Sequence, residues 1–170
     1  MLKIMAKVTL KGSPIQTNGS LPNVGSQAPD FVLISTDLKP KSLADYKEKK
    51  LILSIIPSLD TPVCLTSAKQ FEEKLKNRTD VRVLFISADL PFALKRACGF
   101  ENLKKIETLS MMRDRKFAED YGVLIVDGPL QGIAARAVVV LDENHQVVYT
   151  ELVPEIAQEP NYDQAFTFCV

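Results

Sequence analysis

Net charge is missing from this chain of 170 residues: 21 lysines and arginines stand against 21 aspartates and glutamates. Nucleic-acid binders carry a basic excess that neutralises phosphates, so composition excludes that class. Long apolar runs are missing as well. None approaches the roughly 18 residues a membrane-spanning helix needs. Histidine occurs once (His145) and cysteine three times (Cys64, Cys98 and Cys169), too few and too scattered for a structural zinc site of the usual spacing. No two cysteines form a Cys-x-x-Cys pair, so dithiol chemistry of the thioredoxin type is not available. What is present is the balance of a globular domain, 46% hydrophobic and 25% charged, which argues against wholesale disorder. A chain of this size buries roughly 70% of its unfolded surface and needs no metal or disulfide staple.

The opening segment MLKIMAKVTLKGS has lysines at 3, 7 and 11 that break any apolar export signal. A cytosolic location is expected, where thiols stay reduced and a paired cysteine is more often catalytic, redox-active or metal-binding than structural. Alternation through Val8, Leu10 and Ile15 predicts a small hairpin, followed by a loop over 18–29. Three short apolar runs, Leu51–Ile56, Val81–Ile86 and Ala137–Leu141, fit strands buried on both faces. Cys64, Ala68, Phe71 and Leu75 recur at helical spacing. A second helix is expected to be capped by Asp89, to open at Pro91 and to stop at Gly99; a third over Arg113–Tyr121; a last one capped by Asn161. Asp142-Glu143-Asn144 reads as a hairpin turn. Strands alternating with helices indicate α/β architecture without a boundary, so 1–170 is read as one domain.

The informative stretch runs from Ile56 to Cys64, IPSLDTPVC. A buried strand ends at Pro57, Thr61 is placed to cap a helix, and Pro62 sits at its first position, where a missing N–H costs nothing. Cys64 then falls in the first turn, where unpaired backbone N–H groups and the helix dipole favour an anion such as thiolate. The plainer reading is a small apolar side chain on the buried stripe of the helix. Arg136 is the sole charge within Ile133–Leu141, where an unpaired cation would be costly unless it reached solvent by extending along the surface.

The spacing Pro57-x3-Thr61-x2-Cys64, with ISADLPFALKRACGFE, DGPLQGIAARAVVVLDEN and EPNYDQAF further on, resembles the peroxiredoxins, in particular their bacterial thiol peroxidase branch with two cysteines in one chain. The resemblance spans nearly the whole sequence. It implies a thioredoxin-like fold, with a central mixed β-sheet flanked by helices and an N-terminal β-hairpin, and hydroperoxide reduction without metal, haem or flavin. It also implies thioredoxin as reductant and a homodimer.

On that resemblance Cys64 is the cysteine that attacks peroxide and becomes sulfenic acid. Thr61 holds a peroxide oxygen and the thiolate through its hydroxyl, or only caps the helix, or does both. Pro57, with Pro62, shields the pocket from water. Arg136 is the catalytic arginine, stabilising thiolate and the charge developing on the leaving oxygen. Cys98 matches the resolving cysteine that closes an intrachain disulfide, although taken alone it would read as a buried helical cysteine. Two helix-borne cysteines can require local unwinding before they meet. Cys169 departs from the family pattern and, near a chain end, is expected to be exposed or loosely packed and non-catalytic. His145 is expected to be a solvated turn residue without a partner, and Lys47–Lys50 a solvated loop face. Two further readings stand beside the leading one: a one-cysteine peroxidase resolved by external thiol, and a thioredoxin-fold redox sensor without turnover.

Overall fold

The alternation of apolar runs and helical stripes builds a layered α/β structure, seen in a computed structural model that describes residues 5–47 and 49–169. The elements are a hairpin of β1 (Lys7–Leu10) and β2 (Ser13–Gln16), β3 (Leu33–Ser35), β4 (Pro40–Lys41), a 3-10 turn (Leu43–Tyr46), β5 (Lys50–Ile55), α1 (Pro62–Lys74), β6 (Val81–Ser87), α2 (Pro91–Phe100), β7 (Glu107–Ser110), α3 (Lys116–Asp120), β8 (Ala137–Leu141), β9 (Val147–Leu152) and α4 (Tyr162–Thr167). Seven strands form a mixed sheet in the order β4-β3-β7-β6-β5-β8-β9, and the hairpin stands apart as a second, two-stranded sheet. Neighbours β5, β6 and β7 run parallel, and β8 lies antiparallel against β5.

The three apolar runs read from the sequence are β5, β6 and β8, and they adjoin at the centre of the sheet. Their continuous hydrophobicity follows from cover on both faces. Leu51, Leu53 and Ile55 turn to the side occupied by Phe117, Ala118 and Tyr121, whereas Ile52 packs with Ala68 and Phe71 of α1 and Ala165 of α4. No helix among the described residues is long and apolar enough to cross a membrane.

Several local expectations are corrected. The second helix runs on through Gly99 to Phe100. It stops where Asn102 takes a φ of 56°, Leu103 N–H bonds Cys98 O at 2.9 Å and Asn102 N–H bonds Gly99 O at 3.3 Å. That closure places the left-handed residue three positions after Gly99. The third helix is shorter than Arg113–Tyr121 because the Asp114 carboxylate accepts from Lys116 N–H, turning the chain before Lys116. Asn161 does cap α4, accepting from Gln164 N–H at 2.9 Å. His145 is half-buried in its turn with a φ of 60°, and its Nε2 lies 3.1 Å from the carbonyl oxygen of Tyr46. Within Lys47–Lys50, Glu48 lies outside the described residues, as do residues 1–4 of the opening segment. Lys50 is no loop residue: it opens β5 and pairs with Glu143 at 3.6 Å. Strands β3, β4 and β7 have no counterpart in the sequence reading.

Candidate active site

At the end of β5 the chain passes through Ile56 and buried Pro57 into a short loop and then α1. Thr61 is the N-cap, with extended backbone (φ −91°, ψ 146°) and its Oγ1 accepting from Cys64 N–H at 3.3 Å. Pro62 and Val63 fill the first two helical positions, so Cys64 is third, as the spacing predicts. The same Thr61 hydroxyl donates to Ser58 O at 3.1 Å. In this state its proton is therefore directed at the loop and not at Cys64. Pro57 is buried but Pro62 is exposed, so of the two prolines only Pro57 lies where it can exclude water.

Arg136 sits one residue before β8 and is only 2% exposed. Ala137 pairs with Ile55 in the antiparallel register, so Arg136 follows on beside Ile56, at the end where the chain leaves for Cys64. Its Nη2 donates to Cys64 Sγ at 3.2 Å and its Nε to Ile156 O at 2.9 Å. Nη1 is buried and has no hydrogen-bond partner among the described residues. A buried guanidinium is costly unless an anion compensates it. Cys64, fully buried beside it, is the group able to supply that charge as thiolate. The arrangement rules out an Arg136 that extends to solvent.

The loop before Cys64 is held by a residue whose role the sequence reading missed. The sequence predicts Asp89 as a helix cap, but the N-cap of α2 is Leu90, without a side-chain bond. The Asp89 carboxylate instead accepts from Ser58 Oγ at 2.7 Å, Leu59 N–H at 2.8 Å and Ser87 Oγ at 2.7 Å. It pins the 57–61 loop to the end of β6. The signal available beforehand was a carboxylate two residues past a serine at a strand end, a pattern shared by many turns.

Cys98 is half-buried near the end of α2, with its sulfur 3.9 Å from Thr108 Oγ1 on β7. Burial pushes its thiol up, Thr108 partly opposes this and Glu72 adds to it. All three cysteines are free thiols. Between the helices that carry Cys64 and Cys98 lies a groove of about 410 Å³, walled by Leu59, Thr61, Pro62 and Leu65 on one side and by Arg96, Ala97 and Phe100 on the other. Cys98 itself faces a different cleft with Arg82, Lys104 and Lys105. The structure thus joins Cys64, Thr61 and Arg136 and leaves Cys98 separate. Among the described residues, no three His, Cys, Asp or Glu side chains are grouped to hold a metal ion.

Cys169 is fully buried, not exposed or loose. It packs in the same apolar cluster as Cys64, and its carbonyl accepts from Arg78 Nη2 at 2.6 Å and Lys50 Nζ at 3.4 Å. Two cations and an apolar seat keep this end of the chain in place. Burial pushes the thiol up to about 11. Folding favours the neutral form, so the stability this group contributes is complete below the ordinary thiol range and is lost as pH climbs through about 11. Cys169 is expected to resist alkylation in the native chain at pH 8 and to react once the chain is unfolded. Peptide mapping of labelled samples checks this, and fast native labelling of Cys169 would contradict the buried seat.

The Redoxin family model matches residues 23–166. The thiol peroxidase of Mycobacterium tuberculosis is 51% identical over 161 residues, covering 95% of this chain and 96% of that protein. The thiol peroxidase of Leptospira interrogans is 50% identical over 163 residues, with 95% of each covered. A peroxiredoxin-like protein from Aquifex aeolicus superimposes with a TM-score of 0.91 at 43% identity, covering 97% of this chain and 96% of its own.

Proposed function

The chain belongs to the Redoxin family as a thiol peroxidase of the peroxiredoxin type, and from that premise we propose that Cys64 is its peroxide-reducing nucleophile and Cys98 its resolving thiol. The observation that carries this is the 3.2 Å contact of the buried Arg136 guanidinium with Cys64 Sγ at the third position of α1. The thiolate attacks one oxygen of hydrogen peroxide or an organic hydroperoxide. The O–O bond breaks, sulfur gives up two electrons, and Cys64 becomes sulfenic acid. The departing oxygen takes a proton and leaves as water or alcohol. Arg136 stabilises both the thiolate and the charge growing on that oxygen. Thr61 caps the helix and, by turning its hydroxyl from Ser58 O, offers a hydrogen bond to the peroxide. Pro57 keeps bulk water away.

The Cys98 thiolate then attacks the sulfenic sulfur, forming the Cys64–Cys98 disulfide and releasing water. A helical Cys98 turned toward Thr108 has first to leave that seat, so the end of α2 unwinds in this step. Release from its buried position also lets the Cys98 thiol ionise more easily. A thioredoxin dithiol restores both thiols by exchange. Residues 1–170 act in this reading as one cytoplasmic domain and as a homodimer, supported by the exposed Phe92 and Phe100 on α2; sedimentation equilibrium tests the dimer.

The chemistry is tested with Cys98→Ser. One equivalent of peroxide should convert the parent to a monomer two mass units lighter, with Cys64 and Cys98 linked in the peptide map. The variant should consume its first equivalent at the parental rate, then stall as sulfenic acid or over-oxidise, with thioredoxin-dependent turnover falling steeply. Parental turnover of Cys98→Ser with thioredoxin would replace this cycle by the one-cysteine reading.

A further inference from the structure

Arg136 is held at Cys64 by one carbonyl, that of Ile156, and the position of that carbonyl has its own support. The segment 154–156 lies beside β1: Thr9 N–H bonds Pro154 O at 2.7 Å, and Ile156 N–H bonds Thr9 O at 2.9 Å. Between these two bonds sits Glu155, half-buried. One of its carboxylate oxygens accepts from Thr9 Oγ1 at 2.7 Å and Gly12 N–H at 3.1 Å. The other accepts from Lys11 N–H at 3.0 Å and Ala157 N–H at 3.1 Å.

The hairpin turn is shaped to receive that carboxylate. Lys11 and Gly12 both have positive φ, 50° and 80°, the backbone of a tight two-residue hairpin turn. Here the N–H groups of both residues point at one anion. These donors, Thr9 Oγ1 foremost, keep Glu155 ionised by holding its carboxyl down at about 2. Under the hairpin, Val8 and Ile15 pack with Ile125, Ala135 and the side chain of Ile156. Ile156 is thus fixed from three directions, by backbone pairing, by the neighbouring carboxylate and by an apolar seat that includes the residue next to Arg136.

We propose that Glu155 is a positioning residue for peroxide reduction: by locking the 154–157 segment to the β1–β2 hairpin it fixes the Ile156 carbonyl, which orients the Arg136 guanidinium against Cys64. The proposal rests on the reading of Arg136 as the group that activates Cys64. It gives the separate hairpin sheet a task, as the buttress of an arginine more than 120 residues further along the chain. Loss of the Glu155 anchor would let the carbonyl drift, and displacement by about 1 Å at a reacting centre can cost up to about 10²-fold.

The test uses Glu155→Ala, Glu155→Gln and Thr9→Val in the full-length chain. Three quantities are read: melting temperature, the rate of the first peroxide turnover, and the pH profile of Cys64 alkylation in a Cys98→Ser, Cys169→Ser background. Tyr121→Phe is the control, since it loses only the bond to Pro29 O in the opposite core. Glu155→Ala should slow the first turnover about tenfold and move the alkylation profile to higher pH. Glu155→Gln, which keeps one carbonyl acceptor, should fall between it and the parent, and Thr9→Val should show the same changes more weakly. Tyr121→Phe should lower the melting temperature while leaving rate and profile at parental values. If Glu155→Ala melts lower but keeps the parental rate and profile, the carboxylate merely stitches the hairpin down and the proposal fails. Should Glu155→Ala not fold, the glutamine and valine variants decide on the same two readouts. Arg136→Met run in parallel separates the two ideas. A shift with Arg136→Met but none with the Glu155 variants removes Glu155 alone, whereas no shift in either removes the activating role of Arg136 as well.

Discussion

Cys64→Ser is expected to bring peroxide consumption down to the uncatalysed background, while Cys169→Ser stays within a few-fold of the parent. Serine retains the shape and a hydrogen-bonding atom, but its oxygen cannot be oxidised by peroxide as sulfur is, so the first covalent step has no substitute. Cys169 is as deeply buried as Cys64, yet its thiol donates to the Ala165 carbonyl and is pushed up to about 11. The nearby cations Arg78 and Lys50 bind its carbonyl oxygen, burial outweighs their effect on the thiol, and the residue lies past the end of α4 instead of in the first turn of a helix. Comparable losses in the two variants would sink the assignment of a single nucleophile.

The same substitution has a signature in stability. Arg136 is buried, and among the described residues its side-chain hydrogen-bond partner is Cys64; with Cys64 in the proposed thiolate form, removing one partner of that buried pair costs about 3–5 kcal/mol. Cys64→Ala should therefore melt clearly below the parent. Cys64→Ser should lie between them, because a hydroxyl still accepts from Nη2 without supplying charge. Denaturant unfolding at pH 7 orders the three proteins, and equal stabilities would mean that the thiol carries no compensating charge.

How far the site could be read in advance depended on whether its contacts were local. Thr61, Pro62 and Cys64 lie within four residues, and the cap-and-turn logic of a helix start orders them whatever the rest of the fold does. Arg136 was legible for a different reason. A lone cation in an apolar run must find either solvent or a partner, and the register of β8 against β5 brings it to Cys64. The role of Asp89 is not legible locally because, besides nearby Ser87, its partners Ser58 and Leu59 lie 30 or so residues away across the end of the sheet. Glu155 was invisible for the same cause: its acceptor role is fixed by the turn at Lys11 and Gly12, more than 140 residues earlier. Strand β7 gives no apolar run because ETLS is short and polar at three of its four positions. Its buried Thr108 and Ser110 are accommodated by partners such as Cys98 Sγ and Asp89 O that only the folded sheet brings near. Cys169 shows the opposite error. Proximity to a chain end suggested fraying, but the apolar face of α4 and the cations Arg78 and Lys50 hold it.

Arg136→Met should slow the first oxidation of Cys64 by about 10²–10³-fold, the loss typical of removing one preorganised donor to a developing oxyanion. Two effects act in the same direction. Without the cation the charged form of the neighbouring thiol is disfavoured, so the alkylation profile of Cys64 moves to higher pH and less thiolate is present at neutral pH. Charge growing on the departing oxygen also loses its stabiliser, which slows the reaction even at high pH, where thiolate is complete. Measuring the peroxide rate across pH separates these: a shift of the profile reports the first, and a lowered plateau reports the second. Methionine fills much of the volume but leaves Ile156 O without its donor, and an unsatisfied buried carbonyl costs about 1–3 kcal/mol, so some loss of stability accompanies the change. Arg136→Lys discriminates further. Its single ammonium restores charge but lacks the planar fork that reaches Sγ and the Ile156 carbonyl from separate nitrogens, so it should recover much of the profile shift and little of the plateau. If both variants keep the parental profile and plateau, the 3.2 Å contact with Cys64 is structural and the activation of the thiolate must be sought in the helix start alone.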